Sequence, residues 1–151
     1  MESTTVDIVG TLLDISLPWL GSESRAILMA LIAAHGVFRS ADLFASAIGA
    51  RSRHRVAYLL HRDGLPSLEP LAAWIRVVFW MVECDVTGWT LCRSSLEESR
   101  DPAYCYRLVK HPTGKTWSQV RQLGVVWLVE EFLQACRKPS VRSGDSGAIV
   151  G

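Results

Sequence analysis

Residues 40–62 read SADLFASAIGARSRHRVAYLLHR, a pattern that predicts two short helices with a glycine turn between them. Leu43, Phe44, Ala47 and Ile48 are spaced for one helical face. Ser40 stands where an N-cap is expected, because a serine hydroxyl accepts from a free N–H of the first turn. Gly49 tolerates positive φ and ends the first helix. The second helix is expected from about Ser52, with Val56, Leu59 and Leu60 packed inward. Its other side shows Arg51, Arg53, His54, Arg55 and Arg62. A short helix, a turn and a basic helix form the pattern of a DNA-reading helix-turn-helix. The same residues also fit a plain helical hairpin whose arginines are a solvated face.

Outward from this stretch, composition sets the frame. A chain of 151 residues that is 49% hydrophobic has enough apolar material for one packed domain, so a disordered chain is excluded. The net charge of +1 is low for a dedicated nucleic-acid binder, but its distribution is uneven. Arg51 to Arg62 holds four arginines and no acid, so a locally positive field is expected there. The N-terminal residues lack a basic region before their first apolar run, and the longest apolar runs are too short to cross a bilayer. A soluble, cytoplasmic protein with no membrane partner is expected. Cys84, Cys92, Cys105 and Cys136 show no C-x-x-C spacing, so neither a metal site nor a cofactor is expected.

Residues 1–21 read as an N-terminal apolar arm, with Val6, Ile8, Val9, Leu12, Leu13, Ile15 and Leu17. It is expected to pack or dimerise, and to be poorly ordered at its start. A domain over 22–136 follows. Ser22 or Ser24 is expected to cap a helix with Ile27, Leu28, Leu31, Ile32 and His35 on one side, ended by Gly36. After the 40–62 stretch, Asp63-Gly64-Leu65-Pro66 is a turn. Ser67 then caps a long helix with Pro70 in its first turn, where proline costs little. Leu68, Leu71, Ala72, Ile75, Phe79 and Val82 keep the helical period along it, flanked by Trp74, Arg76 and Trp80. A short helix from about Thr90 to Glu98 is expected to turn Leu91, Cys92 and Leu96 inward. Asp101-Pro102 starts another helix that packs Cys105, Leu108 and Val109 and shows Tyr104, Arg107 and Lys110. Arg100, Arg107, Lys110 and Lys115 make a second basic cluster. Ser118 is expected to cap a final helix carrying Val120, Leu123, Val126, Trp127, Val129 and Leu133, bent near Gly124. The Ser-, Gly- and Arg-rich tail, residues 137–151, is expected to be disordered.

The fold class is therefore expected to be all-α. About seven helices would form two helix-turn-helix subdomains joined by a long central helix, in a homeodomain-like arrangement. Within the second half, Cys105-Tyr106-Arg107-Leu108-Val109-Lys110-His111-Pro112-Thr113-Gly114 is followed by Arg121. That spacing resembles the DNA-binding domain of AraC/XylS-type transcriptional regulators, on Arg107, Lys110, Gly114 and Arg121. In the first half Leu43, Ala45, Ile48, Gly49, Val56 and Leu59 match, with one residue more in the turn; Trp74 and Arg76 resemble the start of the linking helix. The resemblance covers roughly Ala26 to Gln122. Cys105 and Val109 stand where aromatics are usual, Trp117 where proline is usual, and Ser99-Arg100 replaces the usual Gly-Phe.

The resemblance implies a transcriptional regulator whose two basic helices enter successive major grooves of double-stranded DNA. Arg53 or Arg55, and in the second half Tyr104 and Arg107, would read base edges. Arg51, Lys110 and Lys115 would hold phosphates, with His54 and Arg100 beside them. No effector domain of the kind found in larger relatives fits in the chain. The sequence has no G-x-S-x-G, H-E-x-x-H or phosphate-loop pattern, so an enzyme is not expected. The alternative is a helical interaction module that keeps the fold without sequence-specific DNA binding. It would dimerise or take a protein partner through the arm or exposed tryptophans. It predicts a broad apolar patch near Trp74, Trp80 or the final helix. DNA binding predicts Arg53, Arg55 and Arg107 exposed on one side.

Overall fold

A computed structural model describes residues 2–136, with side chains from residue 4 on; the expected disordered tail lies outside the described residues. The described chain is all-α, with helices α1 (Glu2–Ser16), α2 (Ser22–Ala33), α3 (Ala41–Ala47), α4 (Arg53–Arg62), α5 (Leu68–Thr87), α6 (Leu91–Glu97), α7 (Pro102–Thr113) and α8 (Trp117–Ala135). No strand occurs among the described residues. The all-α expectation holds, and α1 is the helix beyond the seven expected for the domain.

Helix α5 is the axis of the core. Every residue from Val77 to Cys84 is buried on it, because α1, α2, α4, α6, α7 and α8 all pack against its sides. A helix apolar all round is stable only inside such a sleeve. Residues 1–21, read from sequence as an arm, belong largely to α1. Val9 and Leu13 of α1, and Leu17 just beyond it, are wholly buried in the common core. Behind α1, the Trp19 indole N–H donates to the Asp63 carbonyl at 3.0 Å, and the Gly21 N–H donates to the Asp63 carboxylate at 3.1 Å. Burial opposes ionisation of Asp63, but hydrogen bonds from the Arg62 guanidinium and the Gly21 N–H help to outweigh it and hold the carboxyl below its ordinary range.

Several local expectations are corrected. Gly21, not a serine, is the N-cap of α2; Ser24 is buried and donates to the Leu59 carbonyl of α4 at 3.1 Å. His35 lies past α2 with φ 58° and stacks on Phe79, ring centroids 4.1 Å apart. Gly36 beside it is fixed by crowding, since a Cβ there would sit 2.6 Å from the Ala72 carbonyl. On α6 the inward residues are Leu91, Ser94 and Ser95, whereas Cys92 and Leu96 are exposed. The small serines let α6 approach α7 closely, and the Ser95 hydroxyl meets Cys105 Sγ at 3.3 Å. Thr116, not Ser118, caps α8, in a capping box with Gln119. Gly124 has φ 94° and ψ 171°, a break that resets the helical phase of α8. Leu123 and Val126 beside the break therefore face solvent, and Leu128, Val129 and Phe132 face the core.

Two parts of the chain repeat one local plan. Ser40 caps α3 by accepting from the Leu43 N–H, and fifty residues on Thr90 caps α6 by accepting from the Arg93 N–H. Gly49 and Ser99 both take positive φ, 76° and 57°. The N–H of the next residue then donates back five positions, Ala50 to Ala45 at 2.9 Å and Arg100 to Ser95 at 2.7 Å. Ser52 caps α4 and Asp101 caps α7, so the first turn is one residue longer. The α3–α4 pair is called the first corner below, and the α6–α7 pair the second.

Candidate nucleic-acid interface

Helix α4 buries Val56, Leu59 and Leu60 and leaves Arg53, His54 and Arg55 exposed, as its period requires. Neighbouring helices nevertheless supply acids to the locally acid-free segment. Arg55 Nη2 is 3.2 Å from a Glu23 carboxylate oxygen on α2, with its guanidinium over the Tyr58 ring at 5.4 Å. Arg53 lies 3.8 Å from Asp42 of α3. Arg62 pairs with Asp63 at 3.0 Å and reaches Glu23 at 3.9 Å. Three of the four arginines thus have carboxylate neighbours, and the positive field expected from sequence is reduced. Arg53, Arg55 and their partners are exposed, so each pair contributes about 1 kcal/mol or less and yields readily to a competing phosphate. Arg51, in the turn, and His54 make none of the ion pairs found among the described residues.

The second corner distributes its cations differently. Helix α7 buries Cys105 and Val109 and exposes Tyr104, Arg107 and Lys110. Neither Arg107 nor Lys110 is in an ion pair found among the described residues. Tyr104 is tethered, its hydroxyl accepting from Arg76 Nη1 of α5 at 2.7 Å. Lys115 is half-buried, its ammonium 6.0 Å from the centre of the Trp127 ring.

Arg100 departs from the expected cluster. It turns inward, 3.4 Å from the buried Glu83 carboxylate and 3.2 Å from the Ser94 hydroxyl, over the Trp80 ring at 5.2 Å. Ser94 itself donates to Glu83. A carboxylate that projects from the most apolar helix must be neutralised, and the α6–α7 turn brings Arg100 to do it. Arg100 is therefore structural, and the exposed cations left to the second corner are Arg107 and Lys110, with His111 exposed beside them. The signal for this pair was in the sequence: Glu83 interrupts an otherwise apolar stripe. Arg121 similarly pairs with Asp85, tying α8 to the end of α5.

The tryptophans do not form an exposed contact surface. Trp74, Trp80 and Trp117 are buried, and Trp19, Trp89 and Trp127 are half-buried. Burial pushes the Cys84 thiol up to about 11 and the Cys136 thiol to about 12, which leaves both protonated at neutral pH. No described helix is long and apolar enough to cross a membrane. No protein-family model matches this sequence, and comparison with curated proteins and with solved structures gives no match.

Proposed function

We propose that the protein binds double-stranded DNA in the cytoplasm and acts as a transcriptional regulator, with α4 and α7 each set into a major groove. The observation that carries this reading is the repeated corner. Twice, a short capped helix and a positive-φ turn present the polar side of a longer helix, and both long helices rest on α5. That side bears Arg53, His54 and Arg55 in one case and Tyr104, Arg107 and Lys110 in the other. Arg51 and Lys115 flank them as phosphate holders. Within this reading the corners are helix-turn-helix motifs of AraC/XylS type, and α5 is their linking helix.

Fluorescence anisotropy of a labelled random duplex, titrated across a salt series, tests it. Binding should weaken steeply with salt, as counterions are released on phosphate contact. The double substitution Arg53→Ala with Arg55→Ala should reduce it about ten-fold or more while circular dichroism stays helical. Absence of binding at low salt removes the reading. The acids beside Arg53 and Arg55, with the exposed Leu123 and Val126 of α8, favour the second reading, a helical interaction module. Size-exclusion chromatography with light scattering tests its homodimer form directly.

A further inference from the structure

An open cleft of about 570 Å³ lies between the α2–α3 loop, α5 and the α6–α7 turn. That volume falls in the range of small-molecule sites. Phe79 and Trp80 close its floor, and Val37, Phe38 and His35 wall one side. The opposite side carries Tyr104, with Arg76 between. The charges lining the cleft are Arg76, Arg100, Glu83 and Glu98. Arg100 and Glu83 neutralise each other. Glu98 is exposed at the rim. Arg76 is left as a half-buried cation with no carboxylate partner among the described residues.

Arg76 is also held in place. Its Nε donates to the Gly36 carbonyl at 2.8 Å and its Nη1 donates to the Tyr104 hydroxyl at 2.7 Å. A guanidinium has five N–H donors, so these two bonds orient it and leave others for a ligand. Tyr104, accepting from Arg76, keeps its own O–H to donate. A fixed guanidinium fork next to a free hydroxyl donor matches one carboxylate. One uncompensated cation beside an acidic rim suits a single negative charge and disfavours a phosphate dianion. The aromatic and aliphatic walls call for a flat apolar body.

We propose that this cleft binds a small planar aromatic carboxylate, held by Arg76 and the Tyr104 hydroxyl with its ring among Val37, Phe38 and Tyr104. The proposal does not depend on DNA binding, and its test uses the protein alone. Isothermal titration of the full chain with 1-naphthoate, against neutral 1-naphthamide of the same shape, reads the carboxylate contribution. Naphthoate should bind about ten-fold more tightly than the amide, as expected for a charge-assisted bidentate contact. Arg76→Gln should erase that preference. Tyr104→Phe should weaken naphthoate a few-fold, and Glu98→Gln, which lifts the rim repulsion, should tighten it. Equal affinity for acid and amide, no binding of naphthoate, or an unchanged preference in Arg76→Gln overturns the proposal. Should Arg76→Gln lose helicity, the Tyr104 and Glu98 variants decide: opposite shifts support the site, and any other pattern overturns it.

Discussion

The two corners share a backbone plan and differ in what they do with positive charge. In the first, Ala50 follows the positive-φ residue, and the arginines lie further on, along the exposed side of α4. In the second, Arg100 follows it, and the one-residue shorter turn carries that side chain onto Glu83 of α5. The place that a small apolar residue fills in the first corner thus holds, in the second, a cation that neutralises the core. The acids differ as well. Glu23 and Asp42 stand beside the α4 arginines, whereas Arg107 and Lys110 on α7 make none of the ion pairs found among the described residues. A basic cluster in a sequence therefore says little until each charge has been placed relative to the helices that pack beside it.

The largest expected effect separates the structural cation from the exposed ones. Glu83→Ala strands Arg100 and Ser94 and should destabilise the fold by about 2–3 kcal/mol in urea unfolding, as loss of one partner of a buried pair does. Glu23→Ala, which removes an exposed acid of α2 beside the first corner, should stay within about 0.5 kcal/mol. Similar costs for the two would break the contrast between the corners. Next, Arg107→Ala with Lys110→Ala should weaken duplex binding more than Arg53→Ala with Arg55→Ala, because its cations have no ion pair to surrender. The log–log salt slope should also fall by about one, for the phosphate contact assigned to Lys110. An equal or smaller loss would make the first corner the main contact.

A smaller change is expected in the opposite direction. Glu23→Gln releases Arg55 and removes a negative charge beside the proposed phosphate path. Anisotropy should report binding about three-fold tighter, an amount set by the weakness of exposed pairs. Effects of similar size are expected in the turns. Ser99 holds φ 57° with a side chain that disfavours it, so Ser99→Gly should raise stability by about 0.5 kcal/mol. Gly49→Ala should lower stability by about 1 kcal/mol in the same assay.

Much of the fold was legible because it rests on local rules. The apolar period gave α5, the Asp101-Pro102 start gave α7, and Ser40 and Gly49 bounded α3. What sequence reasoning missed depended on partners far along the chain. Cys92 and Leu96 look like core residues in a seven-residue helix, but the side that meets α7 is the one with the small Ser94 and Ser95. Leu123 and Val126 continue an apolar period that the break at Gly124 shifts out of register. At the candidate interface, exposure of Arg53, His54, Arg55, Arg107 and Lys110 followed from helical period alone. The neutralisation of Arg55 by Glu23, 32 residues away, did not, and neither did the inward turn of Arg100.

The continuity of α5 makes it a ruler as well as a core. The chain enters the 20 residues of this helix from α4 and leaves them for α6, so they set the angular phase of the two corners. One residue inserted near its middle would advance everything beyond it by about 1.5 Å and rotate it by about 100°. The distance between the corners would hardly change, yet the second would be aimed at a different side of any cylinder the first was gripping. Selection on such a rod would act on its residue count as strictly as on its residue types.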